Sequence, residues 1–346
     1  LYFGSTAPMF MVVKQFFEGI NSFSYMAIPL FILAGAIMGK GGISKRIVNF
    51  ASAILSWLRG GTAITTVGAS MIFAAVSGSG AATISAIGGI TVPEMLKKGY
   101  SRGFTAAMSA GAGSLGPIVP PSVDMIVFGC ITGFSISRLF VGGIIPGFII
   151  GLSLMIYCYI YAKKRNIDYG GKFRGKVVWA AFKDSIWALL MPVIILGGIF
   201  GGIFTPTESA AVAVVYALLV SLLIYKDIKI KDIPGIFVDG AISTATILLL
   251  VGISKSSGYV ITTSGLPHQV LEVFSSFTNS TVVILLLLNI LFLVIGMLME
   301  ANAAIIMMTP ILLPLLDAFG IDPLQFGIMM SFNLCIGLVP PPVGIC

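Results

Sequence analysis

Charge is what this 346-residue chain has least of. Lys, Arg, Asp and Glu make up 10% of it, against roughly 25% in a soluble domain. With 57% hydrophobic residues and a mean hydropathy of +1.06, that scarcity excludes a single soluble fold and points to a membrane. Histidine is rarer still. His268 is the sole one, which gives no basis for a His-based catalytic triad or metal centre. It sits beside Pro267 and reads as a surface residue. The four cysteines, Cys130, Cys158, Cys335 and Cys346, lie apart among apolar neighbours without metal-type spacing. They read as small hydrophobes, not as disulfide partners or ligands. No nucleophile–base pair emerges, so the chain is not read as an enzyme. From Ser256 to Cys346 there is no Lys or Arg at all.

The net charge of +7 does not indicate nucleic-acid binding, because the basic residues cluster in loops, where they report orientation. The densest clusters are KKRNIDYGGKFRGKVVWAAFKD (163–184) and YKDIKIKD (225–232). Both are placed on the cytoplasmic side, joined by spans at about 185–203 and 207–225, with FTPTE at the outer turn. In that turn Glu208 reads as a helix cap behind Thr205 or Thr207. A span at about 139–162 precedes them, and one at about 233–253 follows, reaching Lys255 outside. The run TVVILLLLNILFLVIGMLM (281–299) is long enough for the ~30 Å hydrocarbon layer. The chain is therefore expected to be an all-α polytopic membrane protein.

Two stretches depart from ordinary spans. GSLGPIVPPSVD (113–124) puts glycines and prolines where a helix ought to pass, and IGLVPPPVG (336–344) echoes it. Before the first lies a Gly-, Ser- and Thr-rich segment, 60–97, with cytoplasmic charge at both ends and SGSG (77–80) at its middle. It is predicted to be a re-entrant hairpin, since non-helical backbone at depth survives only inside protein or a wet cavity. Before the second lies the apolar pair around MEAN (299–302), a second hairpin. Residues 46–59 suit an interfacial helix, and 256–277 form its outer counterpart. The order span, arm, hairpin, broken span thus occurs twice, in opposite orientation. Pro93 and Gly99 are six residues apart, as are Pro314 and Gly320. Inverted repeats with broken helices are the architecture of secondary transporters.

Proline removes a backbone donor and glycine permits unusual dihedrals, so each break frees carbonyl oxygens that a small cation such as Na⁺ can take up. The candidate cation ligands are Ser77 and Ser79 with carbonyls around Gly116, Val119 and Pro121. By symmetry, Asn302 joins carbonyls near Gly337, Val339 and Pro341. Half-helix N-termini would receive a small anionic substrate, in a cavity expected to include Gly78, Gly80, Ser122, Asp124, Glu300 and Ala301. Asp124 and Glu300 stand out because acids at depth are costly.

These stretches carry a family resemblance. AIPLFILAGAIMGKGGI (27–43), SGSGAATISAIGGITVPEMLKKGY (77–100), GPIVPPSVDMIVFG (116–129), GGIFTPTESAAVAVVYALLV (201–220) and TPILLPLLDAFGIDPLQFGIMM (309–330) resemble the large membrane subunit of tripartite ATP-independent periplasmic (TRAP) transporters. The resemblance implies an elevator-type importer of organic acids, such as C4-dicarboxylates or sialic acid, driven by a Na⁺ gradient in the bacterial inner membrane. It implies two partners, a small four-helix membrane subunit and a periplasmic substrate-binding protein. It also implies a moving transport domain, 60–135 and 281–346, against a scaffold of 1–59 and 136–255 with the outer arm 256–280. Two positions depart from the family pattern: Val339 stands where threonine is frequent, and Gly80 where many relatives carry serine. A stand-alone Na⁺/dicarboxylate symporter of the two-hairpin elevator type, or less readily a channel, is the alternative. Both ends of the chain look abrupt, so further sequence is expected.

Overall fold

The computed structural model describes residues 8–21, 23–278 and 280–341. Among these every regular element is helical. An amphipathic helix, α1 (Met9–Ile20), precedes α2 (Ala27–Lys40) and α3 (Ile43–Leu55), the latter starting before the predicted arm 46–59 and ending four residues short of its end. Seven helical segments are long and apolar enough to cross a membrane: Phe23–Lys40, Ile136–Arg165, Gly175–Phe200, Pro206–Ile224, Ile230–Thr263, Thr281–Leu298 and Ala301–Ala318. The shorter apolar helices are Gly61–Ser77, Val123–Thr132 and Pro323–Gly337. At 1.5 Å per residue the first of these is about 26 Å long and falls short of the hydrocarbon layer.

That first short helix, α4 (Gly61–Ser77), is buried on nearly every face, which is why it is built from Ala, Gly, Ser and Thr. It stops at Gly78, whose φ of +59° belongs to the left-handed region that glycine enters at no steric cost. The chain reverses there and resumes as α5 (Gly80–Thr83), a π-turn over Ile84–Gly88, and α6 (Gly89–Lys97). Thr66 of α4 reaches Met95 Sδ at 3.6 Å, so the two arms pack back on each other. Over 61–97 the chain thus runs out along α4, reverses at Gly78 and returns through α5, the π-turn and α6.

Next come α7 (Arg102–Gly113) and α8 (Val123–Thr132), separated by the non-helical residues 114–122. The first broken helix lies where Gly and Pro cluster. A long helix, α9 (Ile136–Arg165), then turns its glycines inward and Ile145, Phe148 and Ile149 outward. Helices α10 (Gly175–Phe200) and α11 (Pro206–Leu219) meet at the predicted cap: Thr205 accepts from the Glu208 amide, and the Glu208 carboxylate accepts from the Thr205 amide and hydroxyl at 2.8 Å each.

The second half begins with another long helix. Helix α12 (Ile233–Thr263) runs unbroken past Lys255, so the helical part of the outer arm is α13 (Leu266–Phe277), starting after Gly265 and not at Ser256. His268 is exposed on α13. A second hairpin follows, α14 (Thr281–Leu298) and α15 (Ala301–Ala318), turning at Met299 and Glu300. Then α16 (Pro323–Gly337) ends where the second Pro-rich stretch begins. The end of that stretch, from 342, and the last residues to Cys346 lie outside the described residues.

The halves interlock through aromatic rings: Phe128 of α8 lies 6.0 Å from Phe326 of α16, which lies 5.7 Å from Phe292 of α14. A second apolar cluster binds the base of the first hairpin to α9, with Met95, Phe104 and Leu115 packed on Leu154 and Tyr161. On the charged face Arg46 joins α3 to Asp227 at 2.5 Å and lies over the Tyr225 ring.

Candidate functional site

A cavity of about 300 Å³ lies where the two hairpin turns meet the first break. Ser77, Gly78, Ser79 and Gly80 line it from the first turn, and Glu300, Ala301 and Asn302 from the second. Pro117 and Asp124 contribute from the first break, Leu338 from the second. Gly35 of α2 and Ser243 and Ile247 of α12 also line it, with Ile32 and Ala36 of α2, Ala81 and Ala82 after the first turn, and Val123 of α8 among the rest. Residues separated by more than 220 positions thus face one space.

The first turn is held by its own hydroxyls. Ser77 Oγ lies 3.1 Å from Thr83 Oγ1, and Thr83 donates to the Ser79 carbonyl at 2.8 Å. Ser79 accepts from the Ala82 amide at 3.5 Å, capping the helix that restarts there. This turn rests directly on the first break. The Val123 amide donates to the Gly78 carbonyl at 3.5 Å, and a Cβ on Gly78 would come within 2.8 Å of the Pro121 carbonyl oxygen. Gly116 fits against the Ser79 carbonyl so closely that a side-chain carbon there would overlap it. Gly116 and Pro121 therefore lie beside the turn, and neither lines the cavity.

Other expected residues take different places. Ser122 is fully buried, and its hydroxyl donates to the Pro117 carbonyl while accepting from the Met125 amide at 3.3 Å. It is the cap of α8 and is absent from the cavity wall, which corrects its assignment to the substrate cavity: both its hydrogen-bonding roles are used locally. The Val119 side chain packs on Gly147 of α9. Gly337 lies against Gly296, where an added Cβ would meet the Gly296 Cα at 2.7 Å, so it serves the close approach of α16 to α14. Val339 is half-buried and Pro341 exposed; neither lines the cavity.

At the second turn Asn302 Nδ2 donates to Glu300 Oε1 at 2.7 Å, while Asn302 Oδ1, buried, has no partner among the described residues. Glu300 precedes α15 without capping it through its side chain. Asp124 is 2% exposed and accepts from the Cys335 thiol at 3.0 Å. Cys335 is thus a hydrogen-bond donor to a site residue, which corrects its reading as a simple small hydrophobe. The spacing of one helical turn between Ser79 and Thr83 could have pointed to Thr83. Nothing in the sequence pairs Cys335 or Ser243 with the site, because α16 and α12 bring them there by packing.

At the opposite end of the first hairpin, Asp168 follows α9 and is 8% exposed. Its carboxylate accepts from the Thr62 amide at 2.9 Å and the Tyr100 hydroxyl at 3.1 Å. Burial and that neighbouring carboxylate hold the Tyr100 hydroxyl well above its usual range, so it stays protonated and donates.

A helical membrane protein with a cavity walled by two hairpin turns and helix breaks, and carrying two carboxylates, belongs, as a class, with the polytopic transport proteins. The chain belongs to the family described as the tripartite ATP-independent periplasmic transporter, DctM component, whose model matches residues 1–346. It is 43% identical over 341 residues to the isethionate TRAP transporter permease protein DctMQ of Oleidesulfovibrio alaskensis, covering 98% of this chain and 53% of that protein. It is 38% identical over 331 residues to the C4-dicarboxylate TRAP transporter large permease protein DctM of Pseudomonas aeruginosa, covering 96% and 78%. The 2,3-diketo-L-gulonate TRAP transporter large permease protein YiaN of Escherichia coli is 37% identical over 334 residues, with 96% and 79% covered. The chain thus spans about half of the first relative and about four-fifths of the other two. It is a multi-pass protein of the bacterial inner membrane, and the relatives are named as permease proteins, not enzymes.

Proposed function

We propose that the chain is the membrane core of a secondary active importer, taking up a small organic acid that a periplasmic binding protein delivers and using a Na⁺ gradient. A small membrane subunit is the second partner. The observation that carries this reading is the single cavity shared by both hairpin turns and the first break. In such an arrangement a rigid-body shift of hairpins and broken helices carries the cavity across the membrane, the elevator mechanism, with the two halves in inverted orientation. The names of the relatives, for isethionate, a C4-dicarboxylate and 2,3-diketo-L-gulonate, support organic acids as the substrate class.

The oxygen atoms suit a small hard cation. Asn302 Oδ1 is buried without a partner, and Ser77 Oγ, Thr83 Oγ1 and the Ser79 carbonyl cluster at the other turn. When bound, Na⁺ supplies positive charge that offsets the carboxylates around the cavity. Ser77 and Asn302 orient their turns toward the space, and the tight seat of Gly116 under Ser79 transmits any shift of the turn to the first break.

The moving unit is proposed as residues 60–135 with 281–346, against 1–59 and 175–255 and the arm 256–280. Here α9 is transferred to the moving unit, because its inward face packs on Met71 of α4, Val119 and Ile118 of the break, and Met125 of α8. The test is thermal stability of the purified chain in NaCl against matched KCl and choline chloride. A ligand at 100 times its dissociation constant adds about 2.7 kcal/mol to the native state. A Na⁺-specific rise that Ser77→Ala or Asn302→Ala removes is expected; equal stability in all three salts refutes Na⁺ coupling through this cavity.

A further inference from the structure

Further along α12 than the cavity residues Ser243 and Ile247 lies a second opening, of about 240 Å³, between α12, α15, α8, α1 and the turn that carries Tyr25. One cation, Lys255, lines it, and no Asp or Glu does. The Lys255 stem packs on Gly19 of α1, and Lys255 forms no ion pair among the described residues. Glu18, beside Gly19, already pairs with Lys14 at 3.5 Å. Much of the remaining wall is apolar: Val251 of α12, Ile306, Pro310 and Leu313 of α15, and Ile131 of α8. Polar side chains beside them are engaged elsewhere. Ser254 donates to the Ile306 carbonyl at 2.8 Å, Thr262 to the Gly258 and Tyr259 carbonyls at 2.9 Å each, and Gln15 to Glu18 at 3.2 Å. A smaller opening, of about 150 Å³, shares Ser254, Gly258 and Ile306 with the first. It adds Ile253 and Met307, 48% and 52% exposed, so the apolar wall continues to the outer surface of the helices.

Depth fixes what can reach this place. Lys231 and Lys255 are 24 residues apart, about 36 Å at 1.5 Å per residue along one helical segment, against ~30 Å of hydrocarbon. With Lys231 at the cytoplasmic face, Lys255 stands at the level of the outer head groups, and the apolar walls run inward from it. A small hydrophilic acid would set its polar ends against Val251, Ile306 and Leu313, at a cost in desolvation. We infer that this crevice is a binding site for an anionic phospholipid of the outer leaflet, with its phosphate on the Lys255 ammonium and an acyl chain between α12 and α15. The site goes beyond the transport reading and does not need Na⁺ coupling. It bears on that reading, because α12 is fixed and α15 moves in the proposed division, so the lipid occupies the sliding seam.

The test places the unmodified full chain in nanodiscs of phosphatidylcholine, alone or with added phosphatidylglycerol. Acetylation of its lysines by acetic anhydride is followed by mass spectrometry at fixed pH and ionic strength. Phosphatidylglycerol is expected to slow Lys255 about fivefold more than it slows Lys14 of α1, which reports the general effect of a charged surface. Glycerol phosphate and succinate carry charge without an acyl chain, and neither is expected to protect Lys255 in phosphatidylcholine. In native mass spectrometry Lys255→Gln is expected to lose one retained phosphatidylglycerol per chain, and Lys255→Arg to keep it. No slowing of Lys255, or slowing equal to that of Lys14, overturns the inference, since a lysine that merely snorkels to the surface behaves so. Protection by succinate equal to that by lipid also overturns it and makes the crevice a station for soluble acids. An unchanged lipid count in Lys255→Gln overturns it as well. The acetylation comparison needs no variant, so it decides even if Lys255→Gln fails to fold. The melting test in NaCl, read separately, decides the transport reading.

Discussion

Single residues here do work that their types alone do not announce. Ser122 lies in a Pro-rich break and looks like a ligand, yet its hydroxyl is consumed between Pro117 and Met125. Ser122→Ala is expected to cost about 1–2 kcal/mol as a lost cap, measured by unfolding in detergent, with the Na⁺ response retained. Gly78 is the contrasting case. Its positive φ and its contact with the Pro121 carbonyl leave no room for a side chain, so Gly78→Ala is expected to impair both stability and Na⁺ response. Left-handed backbone alone costs a non-glycine residue about 1–2 kcal/mol. A Gly78→Ala protein that melts and binds Na⁺ like the parent would remove the turn from the argument.

Among elements, the loop after α9 behaves as a clasp on the first hairpin. Asp168 holds the Thr62 amide at the start of α4 and the Tyr100 hydroxyl ahead of α7, while the Gly60 amide donates to the Asp168 carbonyl at 2.8 Å. Arg59 adds a hydrogen bond to Asn166 at 2.7 Å and lies over the Tyr169 ring. Asp168→Ala leaves a buried amide and a phenol without their acceptor, a loss of about 1–3 kcal/mol per orphaned group. Asp168→Asn, which can still accept, should recover most of it. Limited proteolysis of 166–174 reads the outcome: faster nicking in the alanine variant than in the asparagine variant is expected.

For the whole molecule, the proposed division into moving and fixed units makes a sharper prediction. Gly258 of α12 and Pro310 of α15 face each other across the boundary, with an added Cβ on Gly258 3.5 Å from Pro310 Cβ, a separation suited to a disulfide. Crosslinking G258C/P310C is expected to stop uptake, with recovery on reduction. Met71 and Gly151 touch within the proposed moving unit, so crosslinked M71C/G151C should still transport. Uptake surviving the first crosslink would refute rigid-body motion of α15 against α12. Uptake lost in the second would return α9 to the scaffold.

Much of this was legible in the chain as written. Scarcity of charge and long apolar runs dictated a membrane protein, because the bilayer admits only helices with satisfied backbone or closed barrels. Gly78 and the Gly–Pro stretch 113–124 dictated where helices must stop, since φ and the missing N–H are properties of the residue itself. The Thr205–Glu208 cap was likewise local, a matter of three residues' spacing. Tertiary structure alone decided what those interruptions face. Ser77 and Asn302 share a wall, Cys335 meets Asp124, and α9 lays its glycines on the first hairpin. Each depends on helices far apart in sequence packing by shape, and no local pattern encodes which distant side chain a buried one will touch.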